Sequence, residues 1–380
     1  MPQAPVPTPD HARQRTRDAA SGAEAAARSP ALRLGVAVLS LLCIVLLLAQ
    51  RGDITDMLAT LRGGRPGWLA LALLLEAGWF VNQMALYQSL YRLLRLPASL
   101  RQLAPLVLAS NFVNFATPSA SLGAVPLFLE DAGQRGLDTS RVVLINLLRL
   151  WLNLVWFSIP LIFSLAVLAG DGRLRLYHLA AAALLLGATS LVSLGLVLAG
   201  RHPRYVGELL GGGAARLDRL AGRVRRRGLI EADRARQFGT RLGQAAQVIR
   251  LGGRRLLRPW GHAVATDALQ LLVLATTLRA FPGAGAIGAV PLVVIFSISV
   301  LFSVVAVTPQ GVGSSEAATI AVLMSFGVPM MRAVPVVLAY RGVTFWLPFL
   351  AGFAALHALP GRHARAAASR RALGLGEVEE

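Results

Sequence analysis

The sequence predicts an all-α fold: a polytopic bundle of transmembrane helices with about six full spans, two re-entrant broken-helix hairpins and an inverted internal repeat. Three observations lead there. The chain of 380 residues is 55% hydrophobic and 15% charged, with a mean hydropathy of +0.59, too apolar for a water-soluble domain. Several apolar runs reach the roughly 20 residues a helix needs to cross a hydrocarbon core, and no alternating strand pattern marks a barrel. Two stretches also share one grammar. Residues 108–160 carry Thr117-Pro118, Gly123, Gly136-Leu137, Arg149, Trp156-Phe157 and Pro160, and residues 308–348 carry Thr308-Pro309, Gly313, Gly327-Val328, Arg341, Phe345-Trp346 and Pro348. Gly123 to Arg149 is 26 residues and Gly313 to Arg341 is 28.

Taken in order, residues 1–31 are rich in Pro, Ala, Arg and Ser without apolar periodicity, and are expected to form a disordered cytoplasmic tail. Leu32 to Ala49 is the first span. Its apolar core runs into Leu47-Leu48-Ala49-Gln50-Arg51 rather than a small-residue cleavage site, so it reads as an uncleaved anchor. Trp68 to about Leu90 is the second span. It holds Glu76, Asn82 and Gln83 and ends in Tyr87, Tyr91, Arg92 and Arg95, an aromatic and basic interfacial signature. Leu103 to Ala116 covers only half a bilayer before Thr117-Pro118-Ser119-Ala120-Ser121 interrupts it and LGAVPLFLEDAGQRG resumes. Val142 to Ala169 spans with Asn146, Arg149 and Asn153, and residues 177–199 span again; 32–199 is the first membrane repeat.

Residues 200–259 are an Arg-rich cytoplasmic helical loop within the membrane domain. From 201 to 259 it holds 15 Arg against Glu208, Asp218, Glu231 and Asp233. Leu217, Leu220 and Val224, then Phe238, Leu242, Ala246 and Ile249, recur at helical spacing and predict two amphipathic helices. These either rest on anionic lipid head groups or dock a cytoplasmic partner. Residues 260–359, with the span 177–199, make the second repeat. Trp260 to Ala280 holds Asp267 and Gln270, Ala289 to Val307 reaches the second Thr-Pro break, Ser315 to Phe326 continues, and Val334 to Leu359 is the last span. Residues 360–380 are an Arg-bearing cytoplasmic tail.

Charge sets the orientation. All 38 basic residues are Arg, against 19 acids. With the N-terminus and residues 201–259 in the cytoplasm, and each broken segment returning to the side it entered, 29 Arg lie inside. Seven lie outside (Arg51, Arg62, Arg65, Arg173, Arg175, Arg279, Arg332), and Arg149 and Arg341 lie within the membrane. That asymmetry is what insertion favours, and it predicts a multi-pass protein of the cytoplasmic membrane with both termini cytoplasmic. The first hairpin then enters from the cytoplasm and the second from outside, so the units are inverted. The alternative, in which both broken stretches cross fully, makes eight spans and fits the Arg distribution less well.

The residues that are expensive in lipid are the candidate site. Arg149 and Arg341 either grip an anionic head group through their planar fork of donors or close structural ion pairs within their own repeats, with snorkelling as a third reading. Glu316 either caps a restarting helix, with Ser314 or Ser315 as the cap residue, or titrates as a coupling group or receives an ammonium head group. Glu76 and Asp267 fall eight and seven residues after Trp68 and Trp260, as polar linings or counter-ions to the two Arg. At the breaks, Pro118 and Pro309 remove an N–H and clash with the preceding turn, while Gly123, Gly311 and Gly313 permit close backbone approach. The breaks are either simple proline kinks or half-helix ends whose freed amides bind an anion with Thr117, Ser119, Thr308, Gln310, Ser314 and Ser315. Asn111 and Asn114 line the first hairpin, and Tyr340 stands beside Arg341.

Other classes are excluded. Cys43 is the single cysteine, so no disulfide or Cys-based metal site forms within the chain. No HExxH and no GxxxxGK[ST] motif occurs, so zinc hydrolysis and P-loop ATP chemistry have no support, and no metal or cofactor is expected. The positive charge lies between hydrophobic spans, where membrane topology accounts for it without nucleic acid.

The stretches NFVNFATPSASLGAVPLFLEDAGQRGLDTSR and TPQGVGSSEAATIAVLMSFGVP, followed by Ala339-Tyr340-Arg341 and Thr344-Phe345-Trp346-Leu347-Pro348, resemble the flippase-like membrane domain typified by the N-terminal part of lysylphosphatidylglycerol synthases. The resemblance covers roughly residues 32–359. In that family the second motif usually reads like PGGLGVREA and ends in FGVP, followed by YR and a TFWLP-like run. Pro309, Gly311, Gly313, Glu316, Ala317, Tyr340 and Arg341 match it. Gln310 replaces the first Gly, and Ser315 stands where an Arg is common, so the role of that basic residue is not carried over. The resemblance implies a polytopic protein that moves a lipid or a lipid-linked group between leaflets. Aminoacyl transfer in the synthases resides in a separate soluble domain, and only about 20 residues follow Pro360 here, so the chain is not expected to be an enzyme. The reading is a lipid flippase-like transporter with Arg149 and Arg341 on an anionic head group and Glu316 nearby. The alternative is a non-transporting scaffold that recruits a lipid-modifying or envelope-biosynthesis enzyme through residues 201–259. Convergence of Arg149, Arg341 and Glu316 on one polar cavity is expected for transport, and separate ion pairs for the scaffold.

Overall fold

The computed structural model describes residues 63–116, 123–221, 232–251, 253–281, 287–306 and 308–358. All lie in the compact unit Thr60–Glu380; the other unit, Met1–Ala59, carries the expected tail and the span Leu32–Ala49, which lie outside the described residues. The tail 360–380 and the first break, with Thr117, Pro118 and Ser119, lie outside them too.

Every regular element described is a helix. In chain order they are α1 (Pro66–Leu93), α2 (Leu100–Ala116), α3 (Val125–Gln134), α4 (Thr139–Gly170), α5 (Leu176–Arg201), α6 (Pro203–Ala221), α7 (Ala232–Leu251), α8 (Leu257–Ala280), α9 (Ala289–Val305), α10 (Ser314–Ser325), α11 (Met330–Arg341) and α12 (Leu347–Ala358). Five segments among the described residues are long and apolar enough to cross a membrane: α1, α4, α5, Gly253–Ala280 and Met330–Ala355. The α9 helix is apolar but shorter.

Local chemistry sets the ends. Pro66 opens α1, where its missing N–H is no loss. Asp138 caps α4, its carboxylate accepting from the Ser140 amide at 2.9 Å. The second helix of each hairpin closes the same way: Gly136 at φ 63° and Gly327 at φ 85° turn the chain left-handed. The next amide then reaches back, Leu137 N–H to Ala132 O at 2.8 Å and Val328 N–H to Leu323 O at 3.1 Å. The α1 terminus uses this closure with an arginine in place of glycine. Arg95 sits at φ 57° while Leu96 N–H bonds Tyr91 O at 2.9 Å, a backbone state that costs a residue with a Cβ about 1–2 kcal/mol.

The packing of α1 on α8 has the antiparallel exchange expected of an inverted repeat. Trp68 and Trp260, like Arg149 and Arg341, are 192 positions apart, so α1 and α8 hold equivalent places. They pack along their lengths in antiparallel fashion. Arg65 N–H meets Ala280 O at 2.8 Å at one end, Gln270 Nε2 donates to Glu76 Oε2 at 3.0 Å in the middle, and Asn82 Nδ2 donates to His262 O at 2.8 Å further on. The packing obeys the same exchange: α2 lies on α12 as α9 lies on α4, and α3 on α4 as α10 on α11.

Two apolar clusters occupy opposite ends of this unit. One joins the last turns of α1 to α2, α3, the first half of α4 and the start of α8, around Leu90, Leu103, Phe128 and Leu148. The other joins the second half of α4 to α5, the last half of α8, α9, α10 and α11, around Leu161, Leu274, Ile298 and Val336. Each broken hairpin therefore anchors one end.

Two amphipathic helices are expected within 200–259; α6 and α7 lie there and pack on each other as a hairpin, while Val224 lies outside the described residues. Their backbones approach so closely that a Cβ on Gly239 would lie 2.8 Å from Val206 O. Leu242 and Ala246 turn toward the cluster shared with α1 and α4, so this hairpin caps the arginine-rich end of the bundle.

Candidate functional site

Between the two apolar clusters lies a belt of polar side chains. On α1 the buried apolar positions stop at Ala72 and resume at Leu86, and Glu76, Trp79, Asn82 and Gln83 fall between them. On α4 the buried members of one cluster end at Leu152 and those of the other begin at Phe157; Asn153 and Trp156 fall between, with Trp156 packed against the first. On α8 the interval from Ala263 to Val273 holds Thr266, Asp267 and Gln270. Five belt atoms are buried with no hydrogen-bond partner among the described residues: Glu76 Oε1, Trp79 Nε1, Gln83 Oε1, Asn153 Oδ1 and Trp156 Nε1; Asn111 Nδ2 on α2 is another such atom. Natural proteins rarely leave so many, since each costs about 1–3 kcal/mol.

The second break joins α9 to α10 and packs against α2. After Val305 the chain passes Thr308, makes one 3-10 turn at Pro309–Gly311, and restarts as α10 at Ser314. Gln310 lies at φ 48°, Gly311 at 66° and Gly313 at 89°. Gly311 is required twice over: its φ is left-handed, and a Cβ there would lie 2.6 Å from Ser303 Cα and 2.7 Å from Phe302 O on α9. Thr308 Oγ1 donates to Val312 O at 3.1 Å and Ser314 Oγ to Gly311 O at 3.0 Å, which holds the turn shut.

Arg341, at the end of α11, locks the break. Its Nε donates to Glu316 Oε1 at 2.6 Å and its Nη2 to Gln310 O at 3.2 Å, while its guanidinium lies 4.8 Å from the Phe345 ring centroid. Glu316 Oε2 in turn accepts from the Gly313 amide at 2.8 Å. One carboxylate thus caps a helix and neutralises a buried cation, a combination favourable at a helix N-terminus. Side-chain exposure is 10% for Arg341 and 21% for Glu316, so the pair is shielded and still reachable. Beyond Arg341 the chain makes a π turn at Gly342–Trp346, a feature that recurs beside functional residues. Tyr340 is buried next to it.

The cap differs from the sequence reading. Neither Ser314 nor Ser315 is the cap residue: Gly313 takes that place and the Glu316 side chain does the capping. Ser315 is fully buried and faces the other way, accepting from Ser303 Oγ at 2.8 Å and donating to Ser299 O at 3.0 Å, so it fastens α10 to α9. Glu76 is no counter-ion to an arginine either. Its partner is the Gln270 amide, and Asp267 makes no ion pair among the described residues.

Arg149 stands in a different setting. Its guanidinium lies 5.5 Å from the Tyr87 ring centroid, over a ring stacked on Phe128 and holding Asn146 Oδ1 through its hydroxyl at 3.2 Å. Asn114 accepts from the Ala124 amide at 3.1 Å and so steadies the start of α3 behind Gly123. The structure therefore gathers Arg341, Glu316, Gln310, Thr308, Ser314 and Gly313 at one break and gives Arg149 its own aromatic neighbourhood. Tyr87 was read as an interfacial residue, and Trp79 and Trp156, mid-span aromatic rings with a polar handle, were missed as belt residues.

A family model described as the lysylphosphatidylglycerol synthase TM region matches residues 32–352. No curated protein matches the chain. No solved structure matches it.

Proposed function

The chain belongs to the family of lysylphosphatidylglycerol synthase transmembrane regions, and from that premise we propose that this multi-pass membrane protein binds a lipid, or a lipid-linked anionic head group, in the polar belt and passes it between leaflets. The observation that carries the proposal is the belt itself: five buried polar atoms without a partner among the described residues, set between two apolar ends. Irregular backbone and unpaired polar groups at this depth are stable where they line a path for polar matter. An inverted repeat supplies two such half-paths, one from each side. In this reading the broken segments are re-entrant, the arginine-rich end is cytoplasmic, and the head group displaces part of the hold that Glu316 has on Arg341.

The closed Arg341–Glu316 pair and the separate setting of Arg149, in place of the convergence expected for transport, favour a second reading, in which the break is structural and the α6–α7 hairpin recruits a partner enzyme; Tyr205, Leu209 and Leu210 on α6 are exposed there. Leaflet exchange of fluorescent lipids in proteoliposomes separates the two. Exchange that requires Asn153 and Arg341 supports transport, and its absence with anionic, zwitterionic and isoprenoid-linked lipids supports the scaffold.

A further inference from the structure

At the arginine-rich end, away from the break, a cavity of about 420 Å³ opens between the end of α1, the start of α4, α7 and the turn Gly253–Leu256. Arg95, Arg141, Arg241 and Arg255 line it, one from each of these four places, with Asp138 as the one acid in the lining. Asp138 lies 3.5 Å from Arg141 Nε, and Arg141 also donates to Leu94 O at 3.3 Å. Arg95, Arg241 and Arg255 make no ion pair or side-chain hydrogen bond among the described residues. Four cations gathered on one cavity repel each other, and arginine forks suit tetrahedral phosphate oxygens.

A second observation singles out Arg95. It holds the left-handed position that ends α1, at φ 57°, where the equivalent closures of α3 and α10 use Gly136 and Gly327. A glycine would close α1 with less strain, so an arginine there is costly to the fold, and strain retained at one residue marks a functional constraint. We propose that this cavity is a phosphoryl-binding site. Leu93, the last residue of α1, and Leu94, which follows it, also line it, which places it at the level where a lipid phosphate meets the end of a span. Arg149 follows Arg141 on α4 after two turns, about 12 Å deeper.

The test is binding of dioctanoyl phosphatidic acid to the full chain in uncharged detergent, with dioctanoyl phosphatidylcholine as the reference lipid. The expected result is about tenfold tighter binding of phosphatidic acid, as for hydrogen bonds to charged groups. Arg95→Gly weakens it about tenfold while the unfolding temperature stays level or rises, because glycine relieves the backbone. Arg241→Gln with Arg255→Gln does the same, whereas Arg254→Gln with Arg258→Gln, exposed and outside the cavity, changes binding less than about twofold. Inorganic phosphate decides the source: failure to displace the lipid at tenfold excess assigns the site to a lipid head group, and displacement at equal concentration assigns it to a soluble phosphate ester. Arg95→Gly binding like the wild type, or an equal loss in the Arg254/Arg258 variant, overturns the site. Binding in detergent needs no movement between leaflets, so a negative result here leaves the transport reading standing, and absent exchange leaves this site standing.

Discussion

Arg149 and Arg341 occupy the same position in two inverted copies of one plan, yet their surroundings are chemically unlike. Arg341 is tied to a carboxylate, a backbone carbonyl and a phenyl ring. Arg149 lies over a tyrosine that is itself hydrogen-bonded to an asparagine. The origin is visible in the chain: three residues after Gly313 comes Glu316, and three residues after Gly123 comes Pro126. The repeat preserved what the frame needs, the left-handed glycines, the antiparallel α1–α8 pair and the exchange of packing between halves, while the charges diverged. A symmetric scaffold therefore carries an asymmetric site, with one cation neutralised at the break and the other set among aromatic and amide groups.

Five substitutions probe this contrast. Glu316→Ala should have the largest effect, about 3 kcal/mol of lost stability, because it leaves the shielded Arg341 uncompensated and uncaps α10; the partial exposure of Glu316 keeps the loss at the low end for such a pair. Thermal unfolding in detergent measures it, and the double change Glu316→Ala with Arg341→Leu should recover part of the loss. Gly311→Ala comes next at about 2 kcal/mol, since its methyl meets the backbone of Ser303 and its φ is left-handed. The glycine closures supply the symmetric control: Gly136→Ala and Gly327→Ala should each cost about 1–2 kcal/mol and agree with one another, both meeting open space at a left-handed φ. A large inequality between them would show that the halves differ in frame as well as in charge. Tyr87→Phe is the smallest, about 1 kcal/mol, removing the bond to Asn146 while keeping the ring under Arg149.

The frame was legible in the sequence because its determinants are local. Apolar runs of span length, Thr-Pro at 308–309, the Gly-Leu and Gly-Val pairs that end α3 and α10, and the helical spacing within 200–259 all act over a few residues. The site was legible in part. Arg341, Glu316 and the glycines of the second break were visible as costly residues in an apolar stretch, but their connection was not: Glu316 caps its own helix and pairs across 25 positions, which only the fold of α10 against α11 determines. Ser315 read as a possible cap for the same reason, although its hydroxyl turns to α9. The belt was hidden because Glu76, Trp79, Asn153 and Trp156 belong to separate spans, and nothing local shows that they share one level until α1, α4 and α8 are brought together. The cavity beside Arg95 was hidden because its four arginines come from separate places in the chain, and within the sequence they merge into a general surplus of positive charge.

The polar belt is proposed as the path of a lipid head group. The most direct measurement is exchange of fluorescent phospholipids between leaflets in proteoliposomes, read by dithionite quenching, for the wild type and for Asn153→Leu, Arg149→Ala and Arg341→Ala, each verified as folded. Rapid exchange by the wild type that falls about tenfold or more when the belt is made apolar at Asn153, and also requires both arginines, is the predicted result. Exchange that persists unchanged in Asn153→Leu, or a folded wild type that exchanges none of the anionic, zwitterionic or isoprenoid-linked lipids, would contradict it.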